Sequence, residues 1–511
     1  MSARTPIQSF FLLAAFAVLP AQVEARTASV VRFPANNAAR VNPDTHLVLT
    51  FSSPPSLGHS GQIRIYDAAD HHVVDTLDLS IPAGPDPSHR IANPPPGIPL
   101  DPSIPTSPTT TTPAVRVTPA DLHDYQLNTI GGLPDFHFYP IIIHGSVATI
   151  YPHNNILKYG RKYIVQIDPG VLTLAGGAFK GFTTNDSWHF TTKPAPPLAN
   201  ATRLVVAADG SGDFNTVQGA VDFVPDSPSK RVTIFIKNGN YEEIVFFQNK
   251  SNITLRGEDQ DKVQVGYGNN SAFNPPQPGP NRRCAFSVYE STGIELTNFT
   301  LNNYFFGQAE ALLIYGSKNI VNHMIIKGSG DALNLRGSVY ITHSTIIGDG
   351  DTILGVGPAF FRSCEIRSVG PFMWIRNTEE NHGNVFVDCT FTAISRPFPP
   401  GPATVAIRNL SSPVLARLPN NHGRNYPYAE AVLINCRLNG IPPVGWGPID
   451  GDTSHLHLWE FHSADATGHP VDTSQRNAAS RQLSEPQDAQ TIANYSDPAF
   501  VLGGWKPDLD R

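Results

Sequence analysis

"GDALNLRGSVYITHSTIIGDGDTILG" spans residues 330–355 and decides how the rest of the chain is read. It holds three Gly-Asp pairs, at Asp331, Asp349 and Asp351, and Asp331 and Asp351 are each followed within two residues by an apolar run. A carboxylate beside buried aliphatic side chains is costly unless it is paired or used. Asp331 and Asp351 stand twenty residues apart in matching surroundings, so their meaning depends on what brings those positions together. "SGD" and "DGD" are also good turn sequences, and Asp349 reads as a turn residue. Asp331 and Asp351 therefore read either as turn residues or as a functional pair.

Outward from this stretch, short apolar runs recur. They include "NITLRG" (252–257), "GIELTNFTL" (293–301), "NIVNHMIIKG" (319–328), "AFFRSCEIRS" (359–368), "NVFVDCTFTAI" (384–394) and "AVLINCRLNG" (431–440). The spacing of about 20–26 residues marks a solenoid. High β-branched content and no helical periodicity select a parallel β-helix over helical repeats. Cys364, Cys389 and Cys436 fill one slot in successive runs, so they are expected as a buried column of small apolar side chains rather than disulfides. In a β-helix, coils stack about 4.8 Å apart. Acids one coil apart then become neighbours that cannot both ionise cheaply, the condition for one nucleophile or base and one acid. Counting back a further coil from Asp331 reaches Gln308, whose amide would suit an oxyanion.

The chain has 511 residues, a net charge of −7, 47 Pro, 41 Gly and only 15% charged residues. That composition suits turn-rich, β-rich extracellular proteins and disfavours nucleic acid or anionic membranes as partners. Residues 1–25, with Arg4, an apolar stretch from Phe10 to Leu19 and the small-residue site ending at Ala25, read as a signal peptide. Export to the bacterial periplasm or the medium is expected. The apolar stretch is too short to span a bilayer. Residues 26–192 read as a β-sandwich interrupted by a Pro/Ser/Thr-rich insertion at about 81–119, and 193–201 as a linker. "RVNPDTHLVLTFS", "GQIRIYDA" and "WHFTTK" resemble bacterial Ig-like domains. The expected fold is all-β: an Ig-like β-sandwich followed, over 202–511, by a right-handed parallel β-helix.

Residues 203–506 resemble the pectin methylesterases (pectinesterases). The resemblance rests on "LVVAADGSGDFNTVQGAVDFVP" (204–225) and "GNYEE" (239–243). Further along, "QAEAL" (308–312) stands where the family has Q-A-V-A-L, "GDAL" (330–333) where it has Q-D-T-L, and "DTILG" (351–355) where it has D-F-I-F-G. "LARLP" (415–419), "IPPVGW" (441–446) and "FVLGGWKP" (500–507) also fit. The resemblance implies that Asp351 attacks the methyl ester of a galacturonate and that Asp331 protonates departing methanol and then activates water. It also implies that Gln308 holds the oxyanion and that Arg417 pairs with Asp351 and keeps it ionised. No metal or cofactor is implied, and a monomer is expected.

The departures are specific. Gly330 replaces a glutamine, leaving Ser329 or the Gly330 N–H as candidate replacement donors. Thr352 and Leu354 replace two aromatics, and the tryptophan after the arginine is absent. Phe372, Trp374 and Trp446 are the candidate sugar-stacking rings, with Arg376 and His382 as possible cleft neighbours. A polyuronate-binding protein with decayed chemistry, or an esterase for a different ester, stands as the alternative.

Overall fold

The computed structural model of the chain describes residues 30–85, 124–175, 177–305, 307–395, 412–418 and 426–509. The expected signal peptide and most of the Pro/Ser/Thr-rich insertion lie outside the described residues.

The described residues within 31–192 form two main facing sheets with a common apolar core. One sheet is wholly antiparallel and contains Leu47–Thr50 and Val147–Ile150. The other contains Gln62–Asp67, Val73–Asp78 and Lys162–Ile167. The alternation in "QIRIYD" turns Ile63 and Ile65 inward, against Leu47 and Leu49 of the opposite sheet.

The β-helix follows. Its longest sheet runs by parallel pairing from Arg203–Val206 through Leu312–Asn322 and Leu333–Thr342 to Ser480–Gln482. A second sheet runs from Gly239–Glu242 to Arg437–Asn439, again all parallel. Each coil turns between them at one residue of left-handed backbone. Asn298, His323, His343, Ser363, Asp388 and Asn435 hold this corner, with φ between 46° and 63°. The next residue points inward, which stacks Phe299, Met324, Ser344, Cys364, Cys389 and Cys436 in one buried column. All four cysteines of the chain are free buried thiols. The Cys364 N–H donates to Cys389 Sγ at 3.4 Å.

The sandwich is not a separate body beside the β-helix. Phe246, Tyr267, Phe273 and Phe305 of the β-helix pack into the sandwich core. Tyr139 stacks on Phe273 with ring centroids 4.7 Å apart. Two carboxylates meet at the start of the short helix Val217–Phe223, where backbone N–H groups lack partners. Asp44 of the sandwich accepts from the N–H groups of Asn215 and Thr216 at 2.8 Å. Glu243 accepts from those of Val217 and Gln218 at 2.8 and 2.9 Å.

Burial raises the Asp44 carboxyl to about 6 and the Glu243 carboxyl to about 8. Burial also lowers His46 to about 4. The raised acids contribute stability that is full below about pH 4 and is lost as pH rises through these values. His46 contributes stability present above about pH 6.5 and lost as pH falls towards 4. Between about pH 4.5 and 6 the two acids outweigh the one histidine, and above 6.5 Glu243 still titrates, so the melting temperature is expected to be highest near pH 4–4.5 and to fall by a few degrees by about pH 8.5. Calorimetry across this range checks it, and a midpoint level from about pH 6 to 8.5 would reject it.

The C-terminal helices Ala489–Ser496 and Pro498–Val501 cover the outer face of the late coils through Tyr495, Val501 and Leu502. Beneath them, Glu430 accepts bonds from His382 at 2.9 Å, His457 at 2.7 Å and Tyr495 at 2.5 Å. Burial alone would raise this carboxyl, but these donors bring it down to about 2. His382 therefore belongs to the packing of the C-terminal cap, not to the cleft.

Candidate active site

Strand pairing, rather than residue counting, sets the register of the site. Leu312 pairs with Leu333, and Leu333 with Ile353. Two residues before each stand Glu310, Asp331 and Asp351, so three acids occupy one register in consecutive coils. The expectation that Gln308 lies directly below Asp331 is corrected: Glu310 holds that level. Coils differ in length, and a count of 20–26 residues cannot resolve an offset of two. Gln308 stands at the rim instead, exposed, with its Oε1 accepting from Ser271 Oγ at 2.6 Å. Gln308, Asp331 and Asp351 each have positive φ (45°, 64° and 44°). Non-glycine residues adopt that backbone only where the surrounding structure enforces it.

Arg417 reaches Asp351 from sixty-six residues further along the chain. Its Nε donates to Oδ1 at 2.6 Å and its second nitrogen to Oδ2. This two-pronged pairing fixes the plane of the carboxylate. Trp374 lies under the guanidinium, with Arg417 Cζ 5.1 Å from its ring centroid and Arg376 Cζ at 4.7 Å. Trp374 thus supplies the ring against which Arg417 rests. The position after the arginine, Leu418, is buried in the core. Trp374 is half-buried, and its indole N–H has no partner among the described residues. It is the one candidate ring that faces the site.

Phe372 and Trp446 are not available for sugar stacking. Both are 0% exposed. Phe372 packs edge-to-face on Phe391 at 5.4 Å, and the Trp446 indole donates to buried Glu460 at 2.9 Å. Ser329 is also corrected. It is buried, and its hydroxyl donates to Asp349 Oδ2 at 2.8 Å. The Gly330 N–H donates to the other oxygen of Asp349. Asp349 therefore occupies both candidate replacement donors. It is more than a local turn residue, because it ties its own coil to the one below. Burial pushes its carboxyl up to about 6, against these hydrogen bonds.

Burial pushes the Asp331 carboxyl well above the usual carboxylate range, and the neighbouring Glu310 and Asp351 charges add to this. Arg283 and Arg376 oppose it. Glu310 and Arg283 were not legible as site residues. The one signal was a charged residue inside "QAEAL", where apolar text was expected. Among the described residues no cluster of His, Cys, Asp or Glu is arranged to hold a metal ion.

Comparisons with known proteins bear on this arrangement. A probable pectinesterase/pectinesterase inhibitor 42 of Arabidopsis thaliana is 29% identical over 284 residues, covering 53% of this chain and 51% of the relative. Pectinesterase QRT1 of Arabidopsis thaliana is 29% identical over 332 residues, covering 60% and 80%. The chain spans about half the length of several curated relatives it matches. Among solved structures, a pectin methylesterase from carrot is 23% identical with a TM-score of 0.49, covering 61% of this chain and 95% of that one. Pectin methylesterase PemA from Erwinia chrysanthemi is 20% identical with a TM-score of 0.46, covering 60% and 98%. A family model described as Pectinesterase matches residues 203–504, the whole stretch of coils that stacks Asp331 under Asp351, and the chain belongs to the pectinesterase family.

Proposed function

We propose that the chain is an exported pectin methylesterase that converts methyl-esterified polygalacturonate to pectate and methanol. The observation that carries this is the pairing of Arg417 with Asp351 one coil from Asp331. One carboxylate is oriented by a cation while its neighbour is biased towards the protonated form. Asp351 attacks the ester carbonyl carbon, and the carbonyl oxygen takes up the negative charge. Gln308 serves as the side-chain donor to that oxyanion. The tetrahedral species collapses as Asp331 gives its proton to the departing methoxide, releasing methanol and leaving an acyl-Asp351 anhydride. Asp331, now a carboxylate, takes a proton from water. The resulting hydroxide attacks the anhydride, restoring Asp351 and freeing the uronate. Trp374 is the ring offered to the sugar.

The test is methanol release from highly methylated pectin, with one acid group titrated per methanol. Absence of both would remove this function.

A second function, polyuronate binding without turnover, is favoured by one observation: Asp349 engages both Ser329 and the Gly330 N–H, so neither replaces the missing amide. Gly330→Gln separates the two. A Cβ there would stand 3.3 Å from the Gln308 backbone N, at φ +51°. The variant is expected to lose roughly 1 kcal/mol of stability and to gain roughly tenfold in kcat, part of what one oxyanion donor supplies. A gain from a measurable wild-type rate supports the esterase. Activity only in the variant supports the binder.

A further inference from the structure

Glu310 is 0% exposed, and its Oε2 has no hydrogen-bond partner among the described residues. Its Oε1 takes both contacts from Arg283: Nε at 2.7 Å and the terminal nitrogen closer still. The same guanidinium lies 3.4 Å from Asp331 Oδ2, beyond the usual length of a charge-assisted bond. Arg283 is thus turned towards Glu310 and only brushes Asp331. Its backbone has little freedom. Asn269 Nδ2 donates to the carbonyls of Arg282 and Cys284, and Arg282 Nε donates to Pro134 O of the sandwich.

A buried ion pair is a poor way to gain stability, because well-packed apolar residues of similar volume often do as well or better. Valine is the residue the family motif carries at this position, and it would fill the space. With an apolar residue at 310 and Arg283 in place, Asp331 would be the carboxylate left within the guanidinium's reach. A cation that close holds a carboxylate ionised. The charged groups around Asp331 are Arg283 and Glu310 from below, Asp351 from above, and Arg376 and Arg417 from the later coils. Arg417 is committed to Asp351, and Arg376 rests on Trp374. Arg283 is the cation whose allegiance decides the charge state of Asp331.

We propose that Glu310 is a positioning residue that captures the Arg283 guanidinium and so leaves Asp331 to carry the proton delivered to methoxide. This rests on the assignment of Asp331 as the general acid. Burial and the Glu310 charge both favour the protonated Asp331, while the Glu310 charge holds Arg283 protonated against the desolvation of its site.

The test compares full-length wild type, Glu310→Gln, and Glu310→Gln/Arg283→Gln by the pH dependence of kcat/KM for methanol release. In Glu310→Gln the alkaline limb is expected to move down by about one pH unit or more, with about a tenfold loss at neutral pH. In the double variant the limb is expected to return to within about threefold of wild type. A merely structural role would scale activity equally at every pH, whether or not removing Arg283 restored it. An unmoved limb, or no rescue, overturns the proposal. Infrared titration of the protonated carboxyl band that is missing in Asp331→Asn gives a second readout without substrate. That band is expected at neutral pH in wild type and lost at lower pH in Glu310→Gln. Its absence from the wild type at neutral pH also overturns the proposal, even where the variants do not fold. Wild type that releases no methanol but keeps the band and its shift would refute the esterase function and leave the hold of Glu310 on Arg283 standing.

Discussion

Asp351→Asn is expected to abolish methanol release, lowering kcat by at least about 10⁴-fold, the scale of losing a nucleophile. The substitution keeps the size and planarity of the side chain. It removes the negative oxygen proposed to attack the ester and the anion that Arg417 grips with two nitrogens. The amide can still accept one bond from Arg417, and the strand Ile353–Gly355 stays anchored by its pairing to Leu333–Leu335. The fold is therefore expected to persist, checked by circular dichroism and melting temperature. Polyuronate affinity is expected to change little, because Trp374 and the cleft are untouched. Methanol release at more than about one hundredth of the wild-type rate would remove Asp351 from the role of nucleophile. A wild type already silent on pectin, with binding equal in both proteins, would point to the binder instead.

Arg417→Ala is expected to lower kcat by about 10²–10³-fold, with a smaller change in KM. Removing one member of a mostly buried ion pair leaves the other charge poorly compensated, at a cost of about 3–5 kcal/mol where burial is complete. The Arg417 side chain is 27% exposed and that of Asp351 14%, so the lower half of that range applies. Arg417→Lys is expected to recover only part of the loss. An ammonium keeps the charge but cannot grip both carboxylate oxygens in a plane or spread over the Trp374 ring. Steady-state kinetics on the three proteins checks this. Equal rates for the lysine variant and wild type would mean that charge alone matters. Equal rates for the alanine variant would mean that Arg417 does not orient the nucleophile.

The parallel β-helix was legible because stacking turns sequence spacing into distance in a regular way. Runs recurring about every 20–26 residues become strands one inter-strand spacing apart. The cysteine slot followed by the same logic. Cys364, Cys389 and Cys436 each follow an exposed left-handed corner residue and themselves turn inward. The neighbouring positions of Asp331 and Asp351 also followed, since both precede apolar strands that pair with each other.

What failed did so for physical reasons. Gln308 and Glu310 differ by two positions, and coils of unequal length hide such an offset until hydrogen-bonded pairing fixes it. Phe372 and Trp446 looked like cleft rings because aromatics are equally at home in cores and in sugar sites. Their direction depends on which way the chain leaves each corner, and both turned inward. Asp349 looked local because Asp-Gly makes turns, yet its partners are Ser329 and Gly330 in the coil below. The grip of Arg283 on Glu310 joins a loop clamped by the sandwich to a strand entrance twenty-seven residues on.

The sequence by itself thus determined the coil, its repeat and the stacked pair of aspartates, because periodic burial of apolar side chains is written at short range. Only the tertiary structure decided which cation serves which acid, which ring faces the cleft, and that a third carboxylate lies beneath the pair. Those outcomes depend on side-chain direction and on contacts between distant segments, which no local pattern encodes.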